Sequence, residues 1–361
     1  MYNVIKHRLS LEKIFRTESD SNSRLRKLRL DKNEINFGHY NYFLNFLKKN
    51  IGSDLISAYP ESYNVYKLLS KKIKIIKEKI LITPGSDLAL KNCFQAFYKK
   101  NSRIITIDPT FAMVDIYCKV FQTNQIKIGY DKFLNLDYAG LLKAITQNTS
   151  LIIIANPNSP TGTVLNNEQI EKILKISEKK GVIVVIDEAY YEFSKFNCLS
   201  KIKRYKNLII VRTFSKIFGL AGLRLGYVVS SKINIKKLKA LKPMYEANSV
   251  ALKAAEFLLK NKKILKKNLS IMRSSEKYAE NFCKKNSFKF IKCYANFFHI
   301  YFNYNPVEIQ NYLIKKNILV KGGPGVYPYN KYLRISFSNL KNISIVLHEI
   351  KKFVDFKNGR K

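Results

Sequence analysis

Short apolar runs rich in isoleucine and valine alternate with helical patterns between residues 79 and 211. Such runs are typical of strands that are buried on both faces, and each is followed by apolar residues with the helical period. The alternation predicts an α/β fold with a mostly parallel central sheet and helices on both faces, because parallel strands need crossover connections. The predicted strands span residues 79–83, 104–107, 151–155, 182–186 and 208–211.

The pattern changes after Pro243, where helical periodicity extends over residues 246–286. Strand patterns follow at 297–302, 318–320 and 332–337. They predict a smaller C-terminal α+β domain, and a chain of 361 residues is long enough for two domains. The predicted division is an N-terminal arm and small-domain segment at 1–45, a large domain at 46–245 and a small domain at 246–361.

The chain carries 65 lysine and arginine residues against 26 acidic residues, a formal net charge of +39. Such an excess is compatible with a nucleic-acid or anionic-membrane partner. The basic residues are spread along the whole sequence, however, and form no run of five or six that would mark a binding tail. The preferred interpretation is compositional bias, with lysines on helix surfaces and with neither nucleic acid nor membrane as a partner.

The five cysteines are scattered and form no C-x-x-C pair. Neither a disulfide framework nor a metal site is therefore predicted. The N-terminal residues contain no uninterrupted hydrophobic segment, which argues against a secretory signal, and the longest apolar runs are too short to span a bilayer. The cytoplasm is the expected location, because free cysteines suit a reducing compartment.

Distinctive polar motifs stand where predicted strands end, the position at which open α/β sheets bind ligands. Ser86 and Asp87 open a helix after the first strand, a natural place for a phosphate group. Asp187 follows an apolar strand, and Lys216 lies in a glycine-containing stretch with Arg224 eight positions later. A lysine shielded from water can lose its charge and act as a nucleophile, and arginine binds phosphate as a planar fork.

Each motif also has a purely structural interpretation. Gly-Ser-Asp at 85–87 is an ordinary turn and helix cap, and the loop at 156–162 could be a turn without function. Asp187 could end a strand at the surface, and Lys216 could be one more surface lysine. Their order at the ends of successive strands favours a site that combines a phosphate loop, an acid, an amine and an arginine.

The stretches GSD (85–87), NPNSPTG (156–162), DEAYYEF (187–193) and RTFSKIFGLAGLRLGY (212–227) resemble the fold-type I pyridoxal-phosphate aminotransferases of class I/II. The likeness is closest to the histidinol-phosphate aminotransferase family and covers roughly residues 28–355. It implies the fold of pyridoxal-phosphate-dependent transferases, pyridoxal 5′-phosphate as cofactor, amino-acid and oxo-acid substrates, and a homodimer with shared active sites.

In this resemblance three residues match the catalytic group. Lys216 matches the lysine that binds the cofactor covalently and then moves a proton between the substrate Cα and the cofactor C4′. Asp187 matches the acid that faces the pyridine nitrogen and keeps it protonated. Tyr190 matches the tyrosine that is bonded to the cofactor 3′ oxygen.

Further positions match ligands of cofactor and substrate. Phe111 matches the aromatic ring stacked on the cofactor, and Tyr59 matches a tyrosine that reaches the cofactor phosphate of the neighbouring subunit. Arg334 matches the arginine that grips the substrate carboxylate through two bonds. The residues that match phosphate ligands are Ser86, Asp87, Thr213, Ser215 and Arg224.

One departure from the family pattern concerns the cofactor. Ser159 stands where the family has the asparagine that bonds to the 3′ oxygen. A serine makes a weaker contact there, or Asn158 or Asn156 takes over the bond.

Two departures concern the substrate. Lys321, thirteen residues before Arg334, replaces an arginine that helps to bind the substrate phosphate, and lysine lacks the fork geometry. The segment around Asn33, an expected substrate-binding residue, lacks the proline and glycine that usually follow Asn-Glu. The substrate pocket is therefore expected to differ from that of the histidine pathway.

Three functions compete. The first is an aminotransferase that passes an amino group from a donor, expected to be L-glutamate, to a 2-oxo acid or a phosphorylated ketone. The second is a pyridoxal-phosphate-dependent decarboxylase of a phosphorylated amino acid, which the same motifs barely separate from the first. The third is a basic nucleic-acid-binding protein on an inactive scaffold, which rests on charge alone. The full set of cofactor residues together with Arg334 favours the aminotransferase.

Overall fold

The computed structural model describes residues 24–37, 41–323 and 329–359, so residues 1–23 of the predicted N-terminal arm lie outside the described residues. The strands are β1 (Leu28–Arg29), β2 (Ile80–Thr83), β3 (Arg103–Ile107), β4 (Asn124–Ile128), β5 (Thr149–Ala155), β6 (Ile183–Asp187), β7 (Leu208–Thr213), β8 (Gly226–Ser230), β9 (Lys289–Ile291), β10 (Phe297–Tyr301), β11 (Ile318–Leu319) and β12 (Tyr332–Ser336).

The α-helices fill most of the connections between these strands. They are α1 (Asn41–Asn50), α2 (Ser53–Ser57), α3 (Tyr63–Ile73), α4 (Gly85–Phe97), α5 (Ala112–Val120), α6 (Tyr138–Ala144), α7 (Asn167–Lys179), α8 (Lys232–Leu241), α9 (Ser249–Lys260), α10 (Lys262–Lys285), α11 (Val307–Lys315) and α12 (Leu340–Lys357). Within the described ranges, none is both long and apolar enough to cross a membrane.

Seven strands form the central sheet in the order β2-β8-β7-β6-β5-β3-β4. All five predicted strands are present in it, and β3 to β7 pair in parallel. The sheet also contains β4 and β8, which the sequence pattern did not predict. Strand β4 lies at the edge and carries polar residues, whereas β8 runs antiparallel between β2 and β7. The prediction of a mostly parallel sheet is confirmed, with β8 as its reversed strand.

Side chains of the central strands alternate between two hydrophobic cores, one on each face of the sheet. Val184 and Ile186 contribute to one core, together with residues of α3, α7 and α9. Val185 points to the opposite core, which residues of α4, α5 and α8 complete. The predicted helices on both faces are therefore present, and they explain why these strands are apolar throughout.

The C-terminal part has its own antiparallel sheet in the order β12-β10-β9, covered by α10, α11 and α12. The long helical pattern at 246–286 is two helices, α9 and α10, separated at Asn261. Residues near the start of the chain join this part: β1 pairs in parallel with β11, and the Ser336 amide donates to the Leu30 carbonyl at 2.9 Å. The proposed domain boundaries at 45 and 245 stay a prediction.

Candidate active site

A cavity of about 370 Å³ lies at the carboxyl ends of β5, β6 and β7. The structure brings together ten of the residues that the sequence predicted for the cofactor. They are Ser86, Asp87, Phe111, Ser159, Asp187, Tyr190, Thr213, Ser215, Lys216 and Arg224.

One end of this cavity is built to hold an anion. Gly85 begins α4 with φ +84°, and the register of β8 places Gly226 against the same turn. A Cβ added to Gly226 would lie 2.8 Å from the Ser86 amide nitrogen and 2.7 Å from the Gly85 carbonyl carbon. Both glycines are thus needed for the close approach of backbone that exposes the amides of the first turn of α4.

Side chains supply further donors at the same end. The Arg224 guanidinium packs on Gly85 and donates to the Ser215 hydroxyl at 3.4 Å. Thr213 donates to Ser215 through its hydroxyl at 3.0 Å. A cation, two hydroxyl groups and a helix N-terminus converge on one point, and this set of donors fits a phosphate group.

Lys216 follows β7 and lines the cavity. Its Nζ lies 5.2 Å from the centre of the Tyr190 ring and donates to the Lys32 carbonyl at 3.3 Å. The side chain is half-buried, whereas Ile217 and Phe218 beside it are in the core. Lys216 is therefore not one more surface lysine.

Asp187 ends β6 and is buried. Burial raises the pKa of this carboxyl to about 7, although the Ala189 amide, which donates to Oδ1 at 3.0 Å, and the Lys216 charge both lower it. A buried carboxylate gains strongly from a nearby cation. The protonated ring nitrogen of pyridoxal phosphate is such a cation, so Asp187 fits the role predicted for it.

Glu188, the next residue, faces the opposite way and has a structural role. It forms a buried ion pair with Arg212, in which Nη2 and Oε2 are 2.7 Å apart. The Arg212 guanidinium also stacks on Tyr191 at 3.6 Å from the ring centre. Glu188 is thus held by Arg212 and does not line the cavity, whereas Asp187 does.

Tyr190 lines the cavity beside Lys216, and its hydroxyl accepts a hydrogen bond from Asn33 Nδ2 at 2.9 Å. Burial by itself would raise the pKa of this phenol. The charge of Lys216, the bond from Asn33, the charge of Arg334 and a contact with Ser159 together outweigh burial and lower the pKa. A phenol with a lowered pKa is a stronger hydrogen-bond donor, which suits an anionic oxygen as its partner.

The loop at 156–162 places Ser159 in the cavity and uses both of its asparagines elsewhere. Asn158 Nδ2 donates to the Pro109 carbonyl at 2.9 Å, and its Oδ1 accepts from Thr110 at 2.8 Å. Asn156 pairs through both of its amide atoms with the backbone of Leu165. Both asparagines are thus bonded within the protein, and Ser159 is the polar side chain of this loop that lines the cavity, while the identity of the residue that bonds the cofactor 3′ oxygen stays a prediction.

A second pocket of about 250 Å³ shares Phe111 and Ser159 with the first. Lys321 and Arg334 both line it, and their backbones pair through two hydrogen bonds, which puts the two side chains on one face. His299 also lines it, and sequence reasoning missed this residue. Burial lowers the pKa of His299 to about 3, so it is neutral and its Nε2 donates to the Pro160 carbonyl at 2.9 Å.

Three of the predicted residues lie outside both pockets: Asn158, described above, Tyr59 and Asn33. Tyr59 is exposed and stacks on Tyr245, with ring centres 4.3 Å apart. Asn33 is buried, and its neighbours Lys32 and Glu34 line the first cavity instead. Asn33 bonds to Tyr190 in this structure, and its expected contact with the substrate stays a prediction.

A lysine, a buried acid and a phosphate cradle at the carboxyl ends of one α/β sheet define a pyridoxal-phosphate enzyme. Residues 52–350 match the model of the family described as aminotransferase class I and II. The histidinol-phosphate aminotransferase of Caldanaerobacter subterraneus subsp. tengcongensis is 30% identical over 316 residues, which cover 87% of this chain and 89% of that protein. The chain therefore belongs to the class I and II aminotransferases and is a pyridoxal-phosphate-dependent aminotransferase.

Solved structures share the fold. The histidinol-phosphate aminotransferase of Sinorhizobium meliloti, solved in complex with pyridoxal 5′-phosphate, has a TM-score of 0.84 at 22% identity and covers 95% of this chain and 97% of its own. The L-threonine-O-3-phosphate decarboxylase of Porphyromonas gingivalis has a TM-score of 0.77 at 22% identity and covers 91% and 99%. At this identity both likenesses describe the fold alone.

Proposed function

We propose that this aminotransferase takes its amino group from L-glutamate and transfers it to a phosphorylated ketone. The product is a phosphorylated amine of the histidinol-phosphate type. The observation that carries the proposal is the pairing of Lys321 with Arg334 in one pocket beside the cofactor cavity. Two cations suit a doubly charged phosphate monoester, and the Arg334 fork also suits the carboxylate of glutamate. The relatives named for this activity support the proposal.

The cavity residues divide the work of the proposed reaction. Bound pyridoxal phosphate supplies a ring that accepts electrons from the substrate Cα. Arg224, Ser215 and the first turn of α4 hold its phosphate, and Asp187 holds a proton on its ring nitrogen. Lys216 Nζ is the group that takes and returns the proton of the substrate Cα.

The comparisons do not favour the decarboxylase alternative. The relative from Caldanaerobacter subterraneus at 30% identity is named as an aminotransferase, whereas the decarboxylase is similar at the level of the fold. The test is a half-reaction with L-glutamate alone, followed in the visible spectrum of the bound cofactor. Loss of the yellow band with formation of 2-oxoglutarate is expected. Release of carbon dioxide from a phosphorylated amino acid, without an oxo acid, would contradict the proposal.

Histidinol phosphate and histidinol, compared as amino donors, show whether the enzyme recognises a phosphate group on its substrate. We expect the phosphorylated amine to react with a lower KM, and Lys321→Ala to raise that KM about 2- to 5-fold, because an exposed ion pair contributes about 1 kcal/mol or less. The KM for histidinol and for L-glutamate should change little. Lys315→Ala, an exposed lysine of α11, is the matched control. Equal changes for both amines would contradict a phosphate site at Lys321.

The protein is further proposed to act as a homodimer with shared sites. Exposed apolar side chains surround Tyr59, which stacks on Tyr245 outside the cavity; they are Ile56, Tyr63 and Met244. An exposed apolar group of this kind suits an interface with a second copy. Tyr59 would then reach the site of the neighbouring subunit.

Mixing of two inactive variants tests the shared site. Tyr59→Ala and Lys216→Ala homodimers should each have little activity, whereas a mixed dimer should carry one intact site. Random exchange of equal amounts is expected to restore about one quarter of the wild-type activity. Absence of activity after subunit exchange, verified by native mass spectrometry, would argue against sites shared through Tyr59.

A cytoplasmic location is also proposed. Its support is that all five cysteines are buried free thiols, as expected for a protein of a reducing compartment.

A further inference from the structure

Asn33 lies next to the cofactor cavity and is hydrogen-bonded through both its backbone and its side chain. It is 2% exposed, and its backbone has φ +57°, a conformation that asparagine tolerates better than most residues. The backbone amide donates to Ser336 Oγ at 2.9 Å, and the backbone carbonyl accepts from Asn296 Nδ2 at 3.0 Å. The side chain bridges Ser336 and Tyr190, with both distances 2.9 Å.

The network fixes which end of the Asn33 amide faces Tyr190. Ser336 Oγ already accepts from the Asn33 backbone N–H, so its own hydrogen is available to donate to Asn33 Oδ1. The Nδ2 end must then point to the Tyr190 hydroxyl. Because an amide NH₂ can only donate, the Tyr190 oxygen accepts this bond and its hydrogen points elsewhere.

We propose that Asn33 is a positioning residue that turns the Tyr190 hydroxyl hydrogen into the cofactor cavity. The inference rests on the proposed function and on the role that the family resemblance implies for Tyr190, a hydrogen bond to the 3′ oxygen of pyridoxal phosphate. With Ser159 in place of the asparagine found in the family, Tyr190 carries more of this contact. The amide of Asn33 thus acts on the cofactor through Tyr190 and does not touch the substrate.

The charged groups that face Tyr190 lower the pKa of its hydroxyl, as the hydrogen bond from Asn33 does. Lys216 approaches the ring from the loop after β7, and Arg334 lies on β12 with its guanidinium 5.4 Å from the centre of the Phe297 ring. Phe297 in turn packs edge-on against Tyr190, with ring centres 5.9 Å apart. Both cations favour negative charge on the phenol oxygen, and the donated bond from Asn33 adds to this preference.

Two substitutions separate the donated bond from the fold of the segment. Asn33→Asp keeps the shape and the backbone conformation but presents oxygen atoms, so the Tyr190 hydroxyl would donate to residue 33 and turn away from the cavity. Asn33→Gly also accepts φ +57° and deletes the bond. Asn36→Ala is the matched control, because Asn36 bonds to the Arg29 carbonyl in the same segment without touching Tyr190.

The direct measurement is the ionisation of Tyr190 in protein prepared without pyridoxal phosphate. Tyrosine labelled with ¹³C at Cζ is followed by NMR over pH, and Tyr190→Phe identifies the resonance. Both Asn33 variants are expected to raise the pKa of Tyr190, with the larger rise in Asn33→Asp, while Asn36→Ala leaves it unchanged. A pKa equal to wild type in both Asn33 variants would overturn the proposal. If the Asp variant does not fold, the Gly variant decides.

A second measurement uses protein loaded with pyridoxal phosphate. Asn33→Asp is expected to weaken cofactor binding about 10-fold, since a hydrogen bond to a charged group is lost, whereas Asn36→Ala binds like wild type. An unchanged affinity of Asn33→Asp for pyridoxal phosphate would contradict the proposal that Asn33 orients the Tyr190 hydroxyl hydrogen into the cavity. Failure of every protein, wild type included, to bind the cofactor would refute the proposed function, while the NMR titration would still decide the role of Asn33.

Discussion

Replacement of Lys216 by alanine is expected to abolish transamination and the covalent attachment of pyridoxal phosphate together. The amine lines the cavity beside Tyr190, at the position that the family resemblance assigns to the covalent attachment of the cofactor. Loss of the proton-transfer group alone costs about 10² to 10⁴ in rate, and loss of the covalent attachment adds to this. The variant should still fold, because the Lys216 side chain is half-buried at the cavity wall.

The measurement combines turnover with mass spectrometry after borohydride reduction. Wild type should gain the mass of one reduced cofactor on the peptide that contains Lys216, and Lys216→Ala should gain none. Lys239→Ala, an exposed lysine of α8, is the control and should match wild type in both measurements. Turnover or a labelled peptide in the Lys216 variant would refute the assignment of this lysine.

Asp187→Asn is expected to lose activity and to gain stability at the same time. An asparagine cannot supply the negative charge that the ring nitrogen requires, so turnover should fall about 10²- to 10³-fold. The stability effect follows from burial, which raises the pKa of Asp187 to about 7 in the folded protein. An unfolded chain releases the same proton near pH 4.

The contribution of Asp187 to the stability of the folded protein falls as the pH rises. Between about pH 4 and 7 the folded protein binds the Asp187 proton more tightly than the unfolded chain does, so this residue contributes less stability as the pH rises. At pH 8 without cofactor, Asp187→Asn should therefore be more stable than wild type, by up to about 4 kcal/mol for a shift of this size. Near pH 4 the difference should vanish.

Denaturant unfolding of both proteins, prepared without pyridoxal phosphate at pH 4 and pH 8, tests the second prediction. Glu168→Gln removes an exposed carboxylate and should show no such pH-dependent difference. Near-normal turnover in Asp187→Asn would mean that another residue faces the ring nitrogen. Equal stabilities at pH 8 would mean that Asp187 remains well solvated.

The sequence predicted the parts of the fold and of the site that are encoded locally. Buried parallel strands are apolar throughout, so β3, β5, β6 and β7 were recognisable, whereas β4 is a polar edge strand and β8 holds few β-branched residues. The cavity residues follow strand ends, and parallel topology brings such residues together. This explains why Lys216 and Asp187 lie in one cavity, whereas Arg224 precedes β8, which is antiparallel and therefore begins at the same edge of the sheet.

The contacts of residues 31–33 could not be predicted in the same way. The Asp31 carbonyl accepts from Arg334 Nη2 at 2.6 Å, and the Lys32 carbonyl accepts from Lys216. Every residue carries a carbonyl, so no side-chain pattern marks these positions. The hydrogen bonds of Asn158 to neighbouring protein groups could not be predicted either, because a side-chain amide can bond to the backbone or to a ligand equally well.

The pairing of Asn33 with Ser336 has a consequence for the order in which the protein is made. The two residues are 303 positions apart, and the β1–β11 pair spans a similar distance. On the ribosome the phosphate cradle between Gly85 and Gly226 is synthesised long before β12. Asn33, which donates to Tyr190, is made early, but Ser336, which holds the Asn33 side chain, is made near the end, so the hydrogen bonding around Tyr190 is completed after the phosphate cradle has been synthesised.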